Sequence, residues 1–286
     1  MQLFDLTNNW RRLAVTGTAL FAFVLTGQTA LADGDTSHPM RFGHLTVEDG
    51  LSQSNVLAVL QDSEGWMWFA TENGLNSYDG YEFRHFKRER GNPAGLSNDF
   101  IFDVAEAKDG SLWLATNGGG LANIDRKSGE VRSYRNDVAD ANSISSNIVR
   151  SLYVDDAGIV WLGTRGAGLD RFDPVSESFE RIDLGNVDTS GTIFTISEAA
   201  GNALWIGGDH GLVKLDTRTL AVTNVTAALG QTGDHSVRAA VEDGDGRLWV
   251  GSYGGGLVGL DADGRILTRF VHDANDAATL TDNNVT

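Results

Sequence analysis

Apolar residues in this chain gather in runs of four to seven, and each run is closed by glycine or aspartate. That is strand length rather than helix length. The runs follow one another in a fixed order. An apolar stretch such as Val56–Leu60, Ile148–Val154 or Val237–Val241 is followed by a polar turn. The turns read Asp62-Ser63-Glu64-Gly65, Lys108-Asp109-Gly110, Asp155-Asp156-Ala157-Gly158 and Asp243-Gly244-Asp245-Gly246. A second strand carries a tryptophan and ends on Thr71, Thr116, Thr164, Gly208 or Ser252. A Gly-Leu pair opens a third strand at Gly74, Gly120, Gly168, Gly211 and Gly256, and an apolar-Asp pair closes it. A fourth, alternating strand completes the unit, as in Tyr81-Glu82-Phe83-Arg84-His85-Phe86.

The unit recurs. Trp68, Trp113, Trp161, Trp205 and Trp249 are spaced by 45, 48, 44 and 44 residues. Four short antiparallel strands in each period of about 45 residues predict an all-β fold, a β-propeller of four-stranded antiparallel blades. Five repeats are present, over residues 56–90, 101–135, 149–183, 193–226 and 237–272, and Asn284-Val285-Thr286 reads as the start of a sixth. Residues 33–55 are expected to hold a closing strand, Met40–Leu45, and a connector. Repeat five already has a fourth strand of its own, Arg265–Val271, so the expectation is an incomplete seven-bladed ring. Each repeated tryptophan can bury about 150–250 Å² between neighbouring sheets, a gross gain of roughly 4–6 kcal/mol before entropy.

Composition narrows the function. With 39 Asp and Glu against 22 Lys and Arg, the formal net charge is −17. Such a surface repels phosphate backbones, so no nucleic-acid partner is expected. There is no cysteine, which removes disulfides, thiolate metal sites and cysteine nucleophiles. The six histidines have no metal-ligand spacing, and neither a metal nor a cofactor is expected. The aspartate-rich turns read as tight hairpins rather than calcium loops. Gly118-Gly119-Gly120 and Gly254-Gly255-Gly256 lack the Lys-Ser/Thr and the helix of a phosphate loop. At the N-terminus, Arg11-Arg12, an apolar run from Leu13 to Thr26 and Ala30-Leu31-Ala32 have the order of a secretory signal, with cleavage expected after Ala32.

The repeat resembles the two-component regulator propeller family. The resemblance lies in Asp-x-x-Gly-x-x-Trp, in Gly-Leu, and in the connectors Leu51-Ser52, Leu96-Ser97, Ile144-Ser145 and Leu280-Thr281. The fourth repeat departs, with Gly201-Asn202-Ala203 in its first turn and no Leu-Ser connector. The resemblance implies the periplasmic sensor region of an inner-membrane receptor. It also implies a downstream propeller, a homodimeric full-length protein, and a histidine kinase or diguanylate cyclase output beyond this segment.

Repetition also suggests where a ligand could sit. Positions alike in every blade hold the blade together, whereas a loop position that changes from blade to blade is free to specify a ligand. The loops between second and third strands carry Glu72, Asn73, Asn117, Arg165, Asp209, His210 and Tyr253. This mixture suits a small-molecule ligand, a saccharide or an anion. The competing reading is a propeller enzyme, a lyase or glycosidase, for which Glu72, Asp209 and His210 are the candidate acids and bases. A protein-binding scaffold is the third. No catalytic residue is assigned in this segment.

Overall fold

The computed structural model describes residues 43–88, 91–92, 95–185, 191–230 and 236–286. The expected secretory signal and Met40–Phe42 of the expected closing strand lie outside them. The chain divides into two units, residues 1–45 and 46–286. Of the first, the described residues Gly43–Leu45 are not in a strand.

The described residues of the second unit form five separate four-stranded antiparallel sheets, each with its strands in sequence order or its reverse. Blade 1 is β1 (Val56–Gln61), β2 (Met67–Thr71), β3 (Gly74–Tyr78) and β4 (Phe83–Phe86). Blade 2 is β5 (Ile101–Glu106), β6 (Leu112–Thr116), β7 (Leu121–Ile124) and β8 (Val131–Tyr134). Blade 3 is β9 (Val149–Val154), β10 (Val160–Thr164), β11 (Leu169–Asp173) and β12 (Ser178–Ile182). Blade 4 is β13 (Ile193–Ala199), β14 (Ala203–Gly208), β15 (Gly211–Asp216) and β16 (Val222–Asn224). Blade 5 is β17 (Val237–Glu242), β18 (Leu248–Ser252), β19 (Gly256–Leu260) and β20 (Ile266–Phe270). The first strands β1, β5, β9, β13 and β17 neighbour one another in turn, which makes them the inner strands of successive blades.

The core is a series of four inter-blade layers. Trp68, Ala70 and Leu75 of blade 1 meet Ile101, Val104, Leu112 and Leu114 of blade 2. Trp113 and Leu121 meet Val149, Leu152, Leu162 and Phe172 of blade 3. Trp161 and Leu169 meet Ile193, Ile196, Ile206 and Leu215 of blade 4. Trp205 and Leu212 meet Val237, Ala240, Val250 and Leu260 of blade 5. Trp161 is fully buried, whereas Trp249, on the outer face of blade 5, is half-buried.

The repeated polar residues finish the hairpins. Asp155 accepts the Ala157 and Ile159 amides with one carboxylate oxygen and the Trp161 indole N–H, at 2.9 Å, with the other. Asp62 and Asp243 do the same for Trp68 and Trp249. Asp62 is also ion-paired with Arg126 of blade 2. Blade 4 has Ala199 where this aspartate would stand, and Glu242 of blade 5 reaches back to take the Trp205 indole N–H at 2.9 Å. A neighbour thus supplies the missing carboxylate, and the irregular fourth repeat still forms a four-stranded blade. Thr71, Thr116 and Thr164 donate to the carbonyls of Gly74, Gly120 and Gly168 at 2.7–2.8 Å. Those glycines have φ between +78° and +101°, a conformation costly for other residues. A Cβ on Gly120 would also run into the Tyr134 carbonyl oxygen.

Candidate functional site

The second residue of each inner strand behaves unlike the first. In blade 1, Val56 pairs with Thr71 and Ala58 with Ala70, so Leu57 is skipped. The same register shift skips Phe102, Arg150, Phe194 and Arg238. Every blade therefore carries a β-bulge at this point, and bulges re-aim a side chain away from its pleated direction. Here the five re-aimed side chains converge. Leu57, Phe102, Arg150, Phe194 and Arg238 line one central cavity of about 730 Å³. Asn55, Asp103, Tyr253 and Thr286 complete its polar wall.

Within this channel, rings and guanidiniums alternate. The Arg150 guanidinium carbon lies 3.9 Å from the Phe102 ring centroid and 5.4 Å from that of Phe194. Arg238 lies 3.6 Å from Phe194 and 5.4 Å from Tyr253. Cation–π contact at these distances favours the charged form of each arginine. Burial, then the charges of Arg238 and Arg165, hold Arg150 below the usual arginine range. Beside it, Asp103 is pushed up to about 6. Burial drives that rise against hydrogen bonds from the Leu152 and Val104 amides and the Arg150 charge.

The loop residues expected to bind a ligand divide into three groups. Tyr253 lines the channel directly. Glu72, Arg165 and Asp209 act on residues of its wall. Glu72 accepts from the Asn55 side chain at 2.6 Å. Arg165 acts on Arg150 through its charge. Asp209 is within range of the Arg238 charge. Its carboxylate takes the Thr192 amide at 2.9 Å and the Ser236 hydroxyl at 3.0 Å. Burial raises its pKa, but these hydrogen bonds outweigh it and the group stays below the ordinary carboxylate range. Asn73, Asn117 and His210 serve the loops themselves. Asn73 donates to the Ser52 carbonyl, Asn117 bonds through its backbone to Phe100 and Asn98, and His210 packs on Gly191. Reading loops alone missed Phe102, Arg150, Phe194 and Arg238. Their signal was present, because an inner-strand position held by Leu, Phe, Arg, Phe and Arg in turn is as variable as any loop.

Comparison with known proteins places the repeat. A family model described as "Two component regulator propeller" matches residues 50–73, 95–118, 143–166 and 231–254. Each match spans an inner strand and its tryptophan strand. Four of the five blades thus carry a match to this repeat. Over 87 residues the chain is 31% identical to histidine kinase P4 of Formosa agariphila, covering 30% of this chain and 6% of that protein. The fold is similar to the extracellular domain assigned to a hybrid two component system, BT3049, of B. thetaiotaomicron. There the TM-score is 0.69 at 24% identity, over 80% of this chain and 32% of the other. It is similar also to PorZ, a surface component of the type-IX secretion system of Porphyromonas gingivalis, with a TM-score of 0.59 at 15% identity over 80% of this chain and 35% of PorZ. The chain thus spans about a third of the length of these structures, and the fold is shared by proteins of different roles.

Proposed function

We propose that this chain is a ligand-sensing propeller in the extracytoplasmic region of a membrane-bound bacterial signalling receptor, of the histidine kinase or diguanylate cyclase type. The observation that carries the reading is the central channel. Five side chains, one from each blade, are turned by bulges onto a shared cavity and differ from blade to blade. The regulator propeller repeats, the histidine kinase relative and the extracellular structural neighbours support the signalling part. The order of Arg11-Arg12, an apolar run and Ala30-Leu31-Ala32, which matches a secretory signal, supports delivery across the inner membrane. Among the described residues no helix is long and apolar enough to span a bilayer. In this reading the propeller works with downstream propeller and output domains, as part of a homodimer.

Two experiments test it. Alkaline phosphatase fused after residue 286 should be active, since that enzyme folds only outside the cytoplasm; an inactive, stable fusion would place the propeller inside. In-frame deletion of residues 46–286 from the full-length protein should abolish a transcriptional response to a particular growth substrate. Unchanged transcription on every substrate tried would overturn the sensing role.

A further inference from the structure

We propose that the central channel is a receptor site for a small oxyanion, an organic molecule carrying carboxylate or phosphate, gripped by Arg150 and Arg238. The inference rests on the sensing reading above and adds the chemistry of the ligand. Two guanidiniums project into one cavity. Among the described residues neither side chain donates a hydrogen bond or joins an ion pair, and the Arg238 Nε is buried without any partner. Buried donors without partners are rare in folded proteins, because each forfeits its hydration for nothing.

The neighbouring carboxylates do not fill the gap. Asp103 spends its two oxygens on the Val104 and Leu152 amides. Asp209 is held by Thr192 and Ser236, and Glu72 accepts from Asn55. Each is committed to a backbone or side-chain partner, while both arginines are not. The rings of Phe102, Phe194 and Tyr253 lie against the guanidiniums, and a ring face offers an N–H group no carboxylate or carbonyl acceptor. The guanidinium fork matches the paired oxygens of a carboxylate or phosphate. Mutual repulsion between Arg150 and Arg238 adds to the demand for a negative charge between them. Asn55, Tyr253 and Thr286 line the same cavity and supply polar groups for the remainder of such a molecule. In a chain of formal charge −17, a local positive channel is also where an anion is drawn from solution.

The test is calorimetric titration of the full-length protein at low salt with succinate, inorganic phosphate and neutral glucose. At least one anion should bind, with affinity falling at least tenfold in Arg150→Gln and in Arg238→Gln. The exposed control Arg265→Gln should bind as wild type does. Succinate alone binding assigns the site to carboxylates, and phosphate alone to phosphorylated ligands. If a Gln variant melts well below wild type, Arg150→Lys and Arg238→Lys replace them; these keep the charge and lose the paired edge, and weakened binding is expected. Two results overturn the proposal: no anion bound at millimolar concentration, or binding indifferent to both arginines. Glucose binding untouched by either substitution would remove the anion and leave the sensing role standing. Arginine-dependent anion binding in a protein whose propeller deletion leaves signalling intact would remove the sensing role instead.

Discussion

Adjacent residues at the start of each inner strand obey opposite rules. The first is always β-branched: Val56, Ile101, Val149, Ile193 and Val237. The second is Leu57, Phe102, Arg150, Phe194 and Arg238. Ile193 and Val237 lie against Gly163 and Gly207 of the preceding blade, where even a methyl group would collide. Val285 stands over Gly251 in the same way, and Thr286 after it lines the channel, so the pattern extends past blade 5. Facing a neighbouring sheet, a residue meets nearly the same surface in every blade and is held to one shape. Facing the axis, it meets no sheet and is held to none. Repetition therefore marks the inter-blade layers, and variation marks the surface a ligand can use.

Substitution in the layers should give the largest effect. Trp161→Ala should lower the free energy of unfolding by about 3–5 kcal/mol, the usual cost of emptying a buried tryptophan site. Trp249→Ala should cost clearly less, because that ring is half-buried on the outer face of blade 5. Urea denaturation of both variants decides the matter; equal losses would mean that the outer face of blade 5 is as well packed as the layers.

Asp103 belongs to the channel wall yet bears on stability. Its folded pKa, about 6, lies above the ordinary 3.8, so the folded state holds the proton more tightly. The resulting stabilisation is complete below the unfolded value and is lost as pH rises through about 6. The shift sets a ceiling of roughly 3 kcal/mol, and water in the channel screens part of it, leaving an effect on the order of 1–2 kcal/mol. Asp103→Asn removes this dependence while leaving the other carboxylates in place. The stability difference between wild type and variant should therefore move against wild type between pH 5 and pH 7.5. A difference that stays constant would place the Asp103 titration in the ordinary range.

Much of the fold could be read from residue text, because the fold depends on residues with few substitutes. Glycine at Gly74, Gly120 and Gly168 is required by backbone sign, at Gly74 and Gly120 by a close carbonyl as well, and Trp68, Trp161 and Trp205 are the bulk between sheets. Such positions recur and are visible. The channel was less legible. A bulge leaves no mark on composition, and Arg150 inside an apolar run looks like a solvent-facing residue of an ordinary strand. Tyr253 was found because it stands in a loop, and Phe194 was not because it stands in a strand. The rescue of blade 4 was illegible for another reason: Glu242 lies 37 residues from Trp205 in sequence, and only the packing of blade 5 on blade 4 brings them together.

That rescue can be measured. Asp155→Ala and Glu242→Ala each remove the carboxylate acceptor of an indole N–H, and each should cost about 1–2 kcal/mol. The Asp155 change also frees two turn amides and should be the larger of the pair. If Glu242→Ala has no effect, blade 4 does not depend on its neighbour.

The smallest effect on stability is expected at the channel arginines, and it is the sharpest test of the contrast between the two strand positions. Arg150→Gln gives up cation–π contacts with Phe102 and Phe194, worth about 0.5–1 kcal/mol where water is near. It also relieves repulsion from Arg238 and Arg165 and ends the cost of holding a charge in a half-buried place. These terms oppose one another, so the unfolding free energy should change by less than about 1 kcal/mol in either direction. Its neighbour Val149, truncated to alanine, loses two buried methyl groups from the layer between blades 2 and 3 and should cost more. Chemical denaturation of the two variants compares positions one residue apart on the same strand. A large loss in Arg150→Gln with a small one in Val149→Ala would mean that the ladder of rings and guanidiniums holds the propeller together, and that variation among the inner strands reflects packing around the axis rather than freedom to bind.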